Sequence, residues 1–431
     1  MSLRRGARLL LLLTPLISTA TAAQTPLRQQ IPELFRFGDC KDPLCLNSTV
    51  VASTIHGSHY TASAKNSVGD LTGFLGSAIA LGVSSVPISA ATSALTFEFR
   101  EGVLVEGSGS SGPIFGERVQ TLNRGRAVVG VNATAVDFNS VRGVPLSDMI
   151  FRFTHQNVAP TTVLGDPPLE NDVIEVNTSL NVNLQVASLY FAYGLLNRVE
   201  VGVALPLVRV GLSGGSVARV LPFSYPTPHF FGTAADPSLS AASTIDGSAS
   251  GIGDISGRLK VNLGGSNRGA FGLLLDARFP TGDEAQFLGS GEFALRGLGI
   301  VSGRFGNFSP HLNVGYQYRS GKSITDAFLA TAGFDHLVAS WATLAVDVIT
   351  QWQVGTSPIE LPGAVEYAKP VVHTVRQTNL PNRRDNLIDG SLGFKLRAGS
   401  GATALTNVLV PLNDGGIRGR AVGTFGLEFA F

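Results

Sequence analysis

From Ile174 to Val186 the chain alternates between apolar and polar residues. Ile174, Val176, Leu180, Val182, Leu184 and Val186 are apolar, with Thr178 the one exception, and Glu175, Asn177, Ser179, Asn181, Asn183 and Gln185 lie between them. Successive side chains of an extended chain point to opposite faces, so the run predicts a strand with a greasy side turned to lipid and a polar side turned to a wet interior. The phase slips near Ala187 and Ser188 and resumes through Leu189, Phe191 and Tyr193, which reads as a bulge inside one long strand. After a tight turn at Gly194 to Asn197, Val199, Val201, Val203 and Leu205 alternate again. The rhythm recurs at Leu259 to Leu263, Phe271 to Phe279, Leu312 to Tyr318, Phe328 to Phe334, Leu344 to Trp352 and Leu392 to Leu396. It closes with Phe425, Leu427, Phe429 and Phe431 on one face and Thr424, Gly426 and Glu428 on the other.

A half-solvated sheet shows the same alternation, but its apolar face then needs a second layer to cover it. No segment of helical period supplies one. The apolar faces are therefore predicted to meet lipid, and the fold class is all-β: a transmembrane antiparallel β-barrel, apolar outward and polar toward the lumen. On that assignment the candidates for lining a pore are Arg258, Lys260, Asp276, Arg278, His311, Asn313, Arg319, Asp335, Asp347, Lys395, Arg397 and Glu428. Connection lengths agree. With the C-terminus periplasmic, the turns at Asn123 to Gly125, Gly194 to Asn197, Gly264 to Arg268, Leu337 to Ser340 and Gly399 to Ala402 fall inside and are short. Those at Asn139 to Glu170, Ser213 to Gly253 and Thr356 to Leu387 fall outside and are long. Weaker strands at Leu95 to Val105, Phe115 to Leu122 and Arg126 to Phe138 bring the count to about fourteen, or to twelve without the hairpin from Leu95 to Leu122.

Composition and the chain ends narrow the class. Charged residues are 15% and glycines number 51 of 431, where soluble domains carry about 25% charge and about 7% glycine. Arg4, Arg5 and Arg8 precede the apolar run Leu9 to Ile17, and Ala20 to Ala23 offer a small-residue cleavage site near Gln24, the layout of an export signal. Residues 1–23 are read as a signal peptide, 24–94 as a periplasmic or plug segment and 95–431 as the barrel, set among the lipids of a bacterial outer membrane. Leu71 to Phe97 carries no charge, but its glycines, serines and Pro87 make it a poor membrane helix. It predicts a helix or plug packed inside the barrel mouth. A net charge of +1 gives no polyelectrolyte signature, so nucleic acid is not an expected partner.

Few residues suggest chemistry. Cys40 and Cys45 bracket four residues in an exported chain, where an even pair predicts a disulfide. A zinc site with His56 and His59 has poor spacing for a finger. The run G-S-G-S-S-G at Gly107 to Gly112 matches a dinucleotide fingerprint without any βαβ unit around it, and reads as a flexible loop. None of the seven histidines sits in a nucleophile motif, and His311, expected to face the lumen with Asn313, reads as a polar wall residue. An enzyme is not expected, and no cofactor or metal is called for.

The runs YGLLNRVEVGVALPL (Tyr193 to Leu207), GIGDISGRLKVNL (Gly251 to Leu263), ARFPTGDEAQFLGSG (Ala277 to Gly291) and PHLNVGYQY (Pro310 to Tyr318) resemble outer-membrane proteins of the meta-pathway of phenol degradation. Those are distantly similar to the long-chain fatty-acid and aromatic-hydrocarbon transporters. The resemblance covers roughly Tyr193 to Phe431. It implies a barrel that passes small apolar or aromatic compounds inward by passive uptake. A general porin, or a structural or adhesive barrel with ligand-binding loops, is the alternative. The fatty-acid transporters' N-terminal NPA motif is absent. The terminal Phe431 is similar to the C-terminal signal of outer-membrane barrels, which implies the barrel-assembly machinery as a partner.

Overall fold

The computed structural model describes residues 25–40, 43–48, 69, 72–80, 82–83, 97–100, 103–106, 109–155, 157, 163–165, 170–222, 227, 229–266, 268–321, 325–355, 361–398 and 401–431. The predicted signal peptide, His56, His59 and residues 84–94 lie outside them.

Twelve strands form a closed ring: β1 (Ala127–Val141), β2 (Asp172–Leu196), β3 (Val199–Pro222), β4 (Ser256–Ser266), β5 (Gly269–Arg278), β6 (Ala294–Ser302), β7 (Phe308–Arg319), β8 (Ala327–Ala339), β9 (Ala342–Gln353), β10 (Leu387–Ala398), β11 (Ala402–Pro411) and β12 (Val422–Ala430). Each pairs antiparallel with the next, and β12 returns to β1 from Gly423 opposite Ala135 to Ala430 opposite Val128. Twelve is the lower of the two counts the sequence allows. The hairpin that made the difference is not in the wall: among the described residues Phe97–Arg100 pairs with Val103–Glu106 and with no strand of the ring. Phe115 to Leu122 is not a strand at all, since the adjacent charges of Glu117 and Arg118 break its alternation. Three short pieces, Val144–Pro145, Met149–Thr154 and Ile417–Gly419, and a 13-residue strand, Ser240–Ile252, extend the sheet.

One end of the ring has tight turns, as at 197–198 and 340–341, and the other carries the long connections 142–171, 223–255 and 354–386. The outward faces of β4 to β12 form a continuous exposed apolar belt, including Leu263, Phe271, Leu275, Val314, Phe328, Leu392, Val408, Phe425 and Phe429. A band of that extent has no place on a soluble monomer. Strands of nine to thirteen residues, such as β12, β6 and β8, match what a tilted strand needs to cross the hydrocarbon layer.

β2 and β3 are far longer, at 25 and 24 residues. No bulge interrupts β2 at Ala187: its pairing with β1 runs unbroken from Tyr193 to Val182, and even-numbered residues face inward on both sides of that point. What changes there is the chemistry. Below, Leu189 and Phe191 face out while Ser188 and Tyr190 face in; above, Asn181 and Gln185 are exposed while Leu184, Val182, Val176 and Ile174 are buried. Ile174 to Val186 thus turns its apolar face inward, the reverse of the sequence expectation. β3 inverts at Leu207 and Val208, opposite Ala187 and Val186. β1 inverts between Thr134 and Val136, with Thr134 opposite Val186. Three strands exchange faces at one height because the wall leaves lipid there: above that line the outside is water, so apolar residues turn inside.

The inside of this extension is filled by the N-terminal segment. Leu27, Ile31, Leu34 and Phe35 recur at the spacing of one helical face along Leu27–Gln30 and Ile31–Phe35. All four are fully buried, in one core with Leu180, Val182, Leu184, Val208, Val210 and Leu212. The Phe35 ring meets Phe151 and Phe153 edge-on at 5.4 and 5.9 Å. Ser216 and Ser243 donate to the carbonyls of Leu34 and Glu33 at 2.6 and 2.7 Å, satisfying the helix end. Residues 72–80, from the uncharged segment, are helical and pack into the same core through Phe74, Leu75 and Ile79, inside the mouth. Cys40 and Cys45 are bonded, with Cα atoms 5.7 Å apart.

Candidate functional site: a lumen crossed by its own chain

Between the hairpin at residues 97–106 and β1, the chain runs across the barrel interior near its short-turn end. Residues 109–114 are buried, as are 116–119. This strap includes Gly109 to Gly112, read from sequence as a flexible loop. It is instead fixed by wall side chains, since a backbone that leaves both water and sheet must find partners for its amides.

The wall supplies them strand by strand. Ser111 N donates to Thr343 Oγ1 at 2.9 Å, Glu117 N to Asn313 Oδ1 at 2.7 Å, Val119 N to Ser302 Oγ at 3.0 Å and Leu122 N to Glu200 Oε2 at 2.9 Å. Asn313 Nδ2 returns a bond to the Glu117 carbonyl at 2.9 Å, and Arg397 donates to the Gly109 carbonyl. His311 and Asp347 form a buried pair, Nε2 to Oδ1 2.7 Å, directly behind Gly116, where an added Cβ would lie 2.1 Å from the imidazole.

Ion pairs lock the strap side chains. Arg118 reaches Asp335 at 3.1 Å and Ser110 at 3.0 Å, and Ser110 also donates to Asp335. Glu117 meets Arg258 and, at 3.5 Å, Lys260, which lies 3.7 Å from Glu200. Burial alone would push the Glu117 carboxyl up, but the Arg258 and Lys260 charges outweigh it and hold it at about 2. A separate buried group joins Lys395 to Glu428 at 3.7 Å, with the Tyr190 hydroxyl donating to Glu428 at 2.7 Å. Tyr190 lies over Gly130, where a Cβ would be 2.2 Å from its ring.

All twelve sequence-derived wall candidates point inward. The structure gathers seven of them, Arg258, Lys260, His311, Asn313, Asp335, Asp347 and Arg397, around the strap. It sets Lys395 and Glu428 together on the far wall, and Asp276, Arg278 and Arg319 nearer the outer end. Most are engaged with partners rather than lining open water. Sequence reasoning missed Glu117 and Arg118, assigned to a strand, and also Glu200, Ser302, Thr343 and Tyr190. Glu200 was legible by the parity of Val199, Val201 and Val203; the strap was not, because nothing in its pattern distinguishes a buried crossing from a surface loop.

No protein-family model matches this sequence, and no curated protein matches it. Solved structures share the barrel at low identity. They include the COG4313 outer membrane channel from Pseudomonas putida F1 (14% identity, TM-score 0.40, 73% of this chain and 98% of that one). A Pseudomonas aeruginosa FadL homologue is similar at 10% identity and TM-score 0.32, over 71% of this chain and 90% of that one. The P. putida toluene transporter TodX is similar at 8% identity and TM-score 0.30, over 71% of this chain and 89% of that one.

Proposed function

We propose that this barrel sits in the bacterial outer membrane and admits small apolar or aromatic compounds by passive uptake. The observation that carries the reading is the inversion of the wall. Above the lipid Val136, Phe138, Leu180, Val182, Leu184, Val208 and Val210 turn inward and are buried in one apolar core with the N-terminal segment, so a solute that displaces part of that segment meets apolar side chains, which suit apolar solutes and offer nothing to sugars or ions. Below it the strap crosses a narrow polar zone in which both signs of charge are already paired, so free ion flow is suppressed. The sequence resemblance to outer-membrane proteins of phenol degradation points the same way. An apolar solute that crosses the lipopolysaccharide leaflet slowly gains from such a path; a sugar does not.

The test uses porin-depleted cells with an intact lipopolysaccharide leaflet. Expression of the protein is expected to speed uptake of labelled toluene and leave uptake of labelled arabinose unchanged. Equal acceleration of both solutes overturns the reading in favour of a general porin.

A further inference from the structure

Where β2 and β3 rise above the lipid, the strand Ser240–Ile252 runs along one flank of the rise. It pairs with β3 without a break, from Ser240 opposite Arg219 to Ile252 opposite Leu207. Hydrogen bonds just beyond its two ends fix which way its backbone points. Val220 N donates to the Leu239 carbonyl at 2.9 Å and Gly253 N to the Pro206 carbonyl at 2.8 Å. Both bonds join an odd-numbered residue to β3 in the same antiparallel register, and in such a ladder bonded residues alternate with residues whose N–H and C=O point away. The even-numbered residues therefore face the open flank. Ser240 is closed by its own turn, through Ser238 Oγ. Ala242, Thr244, Asp246, Ser248 and Ser250 bring their N–H and C=O groups to the flank, and among the described residues these groups meet no partner.

The other flank of the same rise is covered by the chain itself. Along Met149–Thr154, Arg152 N donates to the Gln377 carbonyl at 2.7 Å and Asn379 N to the Ile150 carbonyl at 3.3 Å. The open flank also lacks the devices that keep an exposed edge from pairing: Ser240–Ile252 holds no proline, lysine, arginine or bulge, and Asp246 is its one charge. A second copy in the same membrane does not fit this edge. An axis along the membrane normal makes the two edges parallel and sets equal residues side by side. A parallel ladder needs such residues to point opposite ways, whereas here the even residues of both copies point at each other. The two faces of the edge set what an occupant must bring. On the water face Asp246 is exposed opposite Ser213, and among the described residues it makes no ion pair. On the inner face Ile245 is buried in the main core, with Ala241 and Ala249 packed against it. An added strand continues both faces, apolar side chains beside Ile245 and polar ones beside Asp246.

We infer that the Ser240–Ile252 edge is a docking site, above the lipid, for an extended segment of another protein in which apolar residues alternate with polar ones and a lysine or arginine lies opposite Asp246. The segment joins the sheet as one more antiparallel strand. Its backbone bonds to Ala242 through Ser250 give affinity, and its alternating side chains give the choice of partner. The site needs no part of the uptake path.

The probe is a fluorescein-labelled peptide, Thr-Val-Lys-Val-Thr-Val-Thr, titrated by anisotropy against the purified full-length protein in detergent. It is expected to bind. N-methylation of its threonines and lysine, whose N–H groups meet the edge, is expected to weaken it by about tenfold or more, and N-methylation of its valines, whose N–H groups point away, to leave it unchanged. Ser248→Pro removes an N–H on the open flank and no bond to β3, so a barrel that keeps its heat-modifiable mobility is expected to lose affinity by about the same factor. Asp246→Asn is expected to weaken the lysine peptide and not a version with threonine in its place. Absence of binding to the parent overturns the site. So does binding indifferent to methylation of the polar residues, or a folded Ser248→Pro protein that binds as the parent does. None of these readings involves transport, so failure of the toluene assay leaves them standing.

Discussion

Leu427 and Glu428 are neighbours in the chain and face different solvents. Leu427 is exposed on the lipid belt, and Glu428 is 1% exposed in the lumen against Lys395 and Tyr190. Leu427→Arg is expected to cost about 2 to 4 kcal/mol, as a cation forced into hydrocarbon. From sequence alone Glu428→Gln is a mild change on a wet face, but the structure makes it severe. Lys395 is fully buried with Glu428 as its counterion, and removing one partner of such a pair costs about 3 to 5 kcal/mol. Heat-modifiable gel mobility after graded urea exposure measures both. The double change Lys395→Met with Glu428→Gln should recover much of the loss, and a double as weak as Glu428→Gln alone would refute the pairing. Glu117 adds a pH dependence with a definite sign. Its folded value of about 2 lies below the ordinary 4.5, so its contribution is complete above about pH 4.5 and fades as pH falls toward 2. Conductance in planar bilayers should be the same at pH 7 and pH 5; a rise between those values contradicts the assignment.

The strap shows what an element's sequence can and cannot disclose. The wall strands were legible because lipid on one side and polar groups on the other write a period of two into every span, from Leu259 to Phe429. Residues 109–122 carry no such mark: their amides are satisfied by Thr343, Asn313, Ser302 and Glu200, partners on strands far away in the chain. A propensity argument sees glycine and serine at Gly109 to Gly112 and returns a loop, and sees a weak alternation from Phe115 to Leu122 and returns a strand. Fixing by side chains is specific, so it is also easily broken. At Gly116 a methyl group has nowhere to go, with His311 Nε2 2.1 Å from the Cβ position and Asp347 Oδ1 3.0 Å from it. Gly116→Ala should lift this part of the strap and raise single-channel conductance several-fold over the parent. Adding His311→Ala, which empties the space the methyl needs, should bring it partway back. If Gly116→Ala conducts as the parent does, the strap is not what limits ion flow.

For the molecule as a whole, the informative feature is the height at which β1, β2 and β3 exchange their faces. The sequence recorded the event as a phase slip at Ala187, and a slip is what a bulge produces; an unbroken strand passing from lipid to water produces the same letters. Only the register tells them apart, because Thr134, Val186 and Val208 lie side by side at the crossing. The same height accounts for the buried N-terminal helices, since apolar residues turned inward need something to cover them. It also fixes which outward residues meet water. Asn181 and Leu189 both point outward from β2, the first above the line and the second below it. Cysteine placed at either site reports its solvent, since thiolate forms and reacts only where water reaches it, and Cys40 and Cys45 are silent because they are bonded to each other. In intact cells a membrane-impermeant maleimide should label Asn181→Cys rapidly and Leu189→Cys hardly at all. Equal labelling of the two would place the lipid boundary elsewhere. Labelling of neither site would restore the original reading, in which Asn181 faces the lumen and Leu189 the membrane.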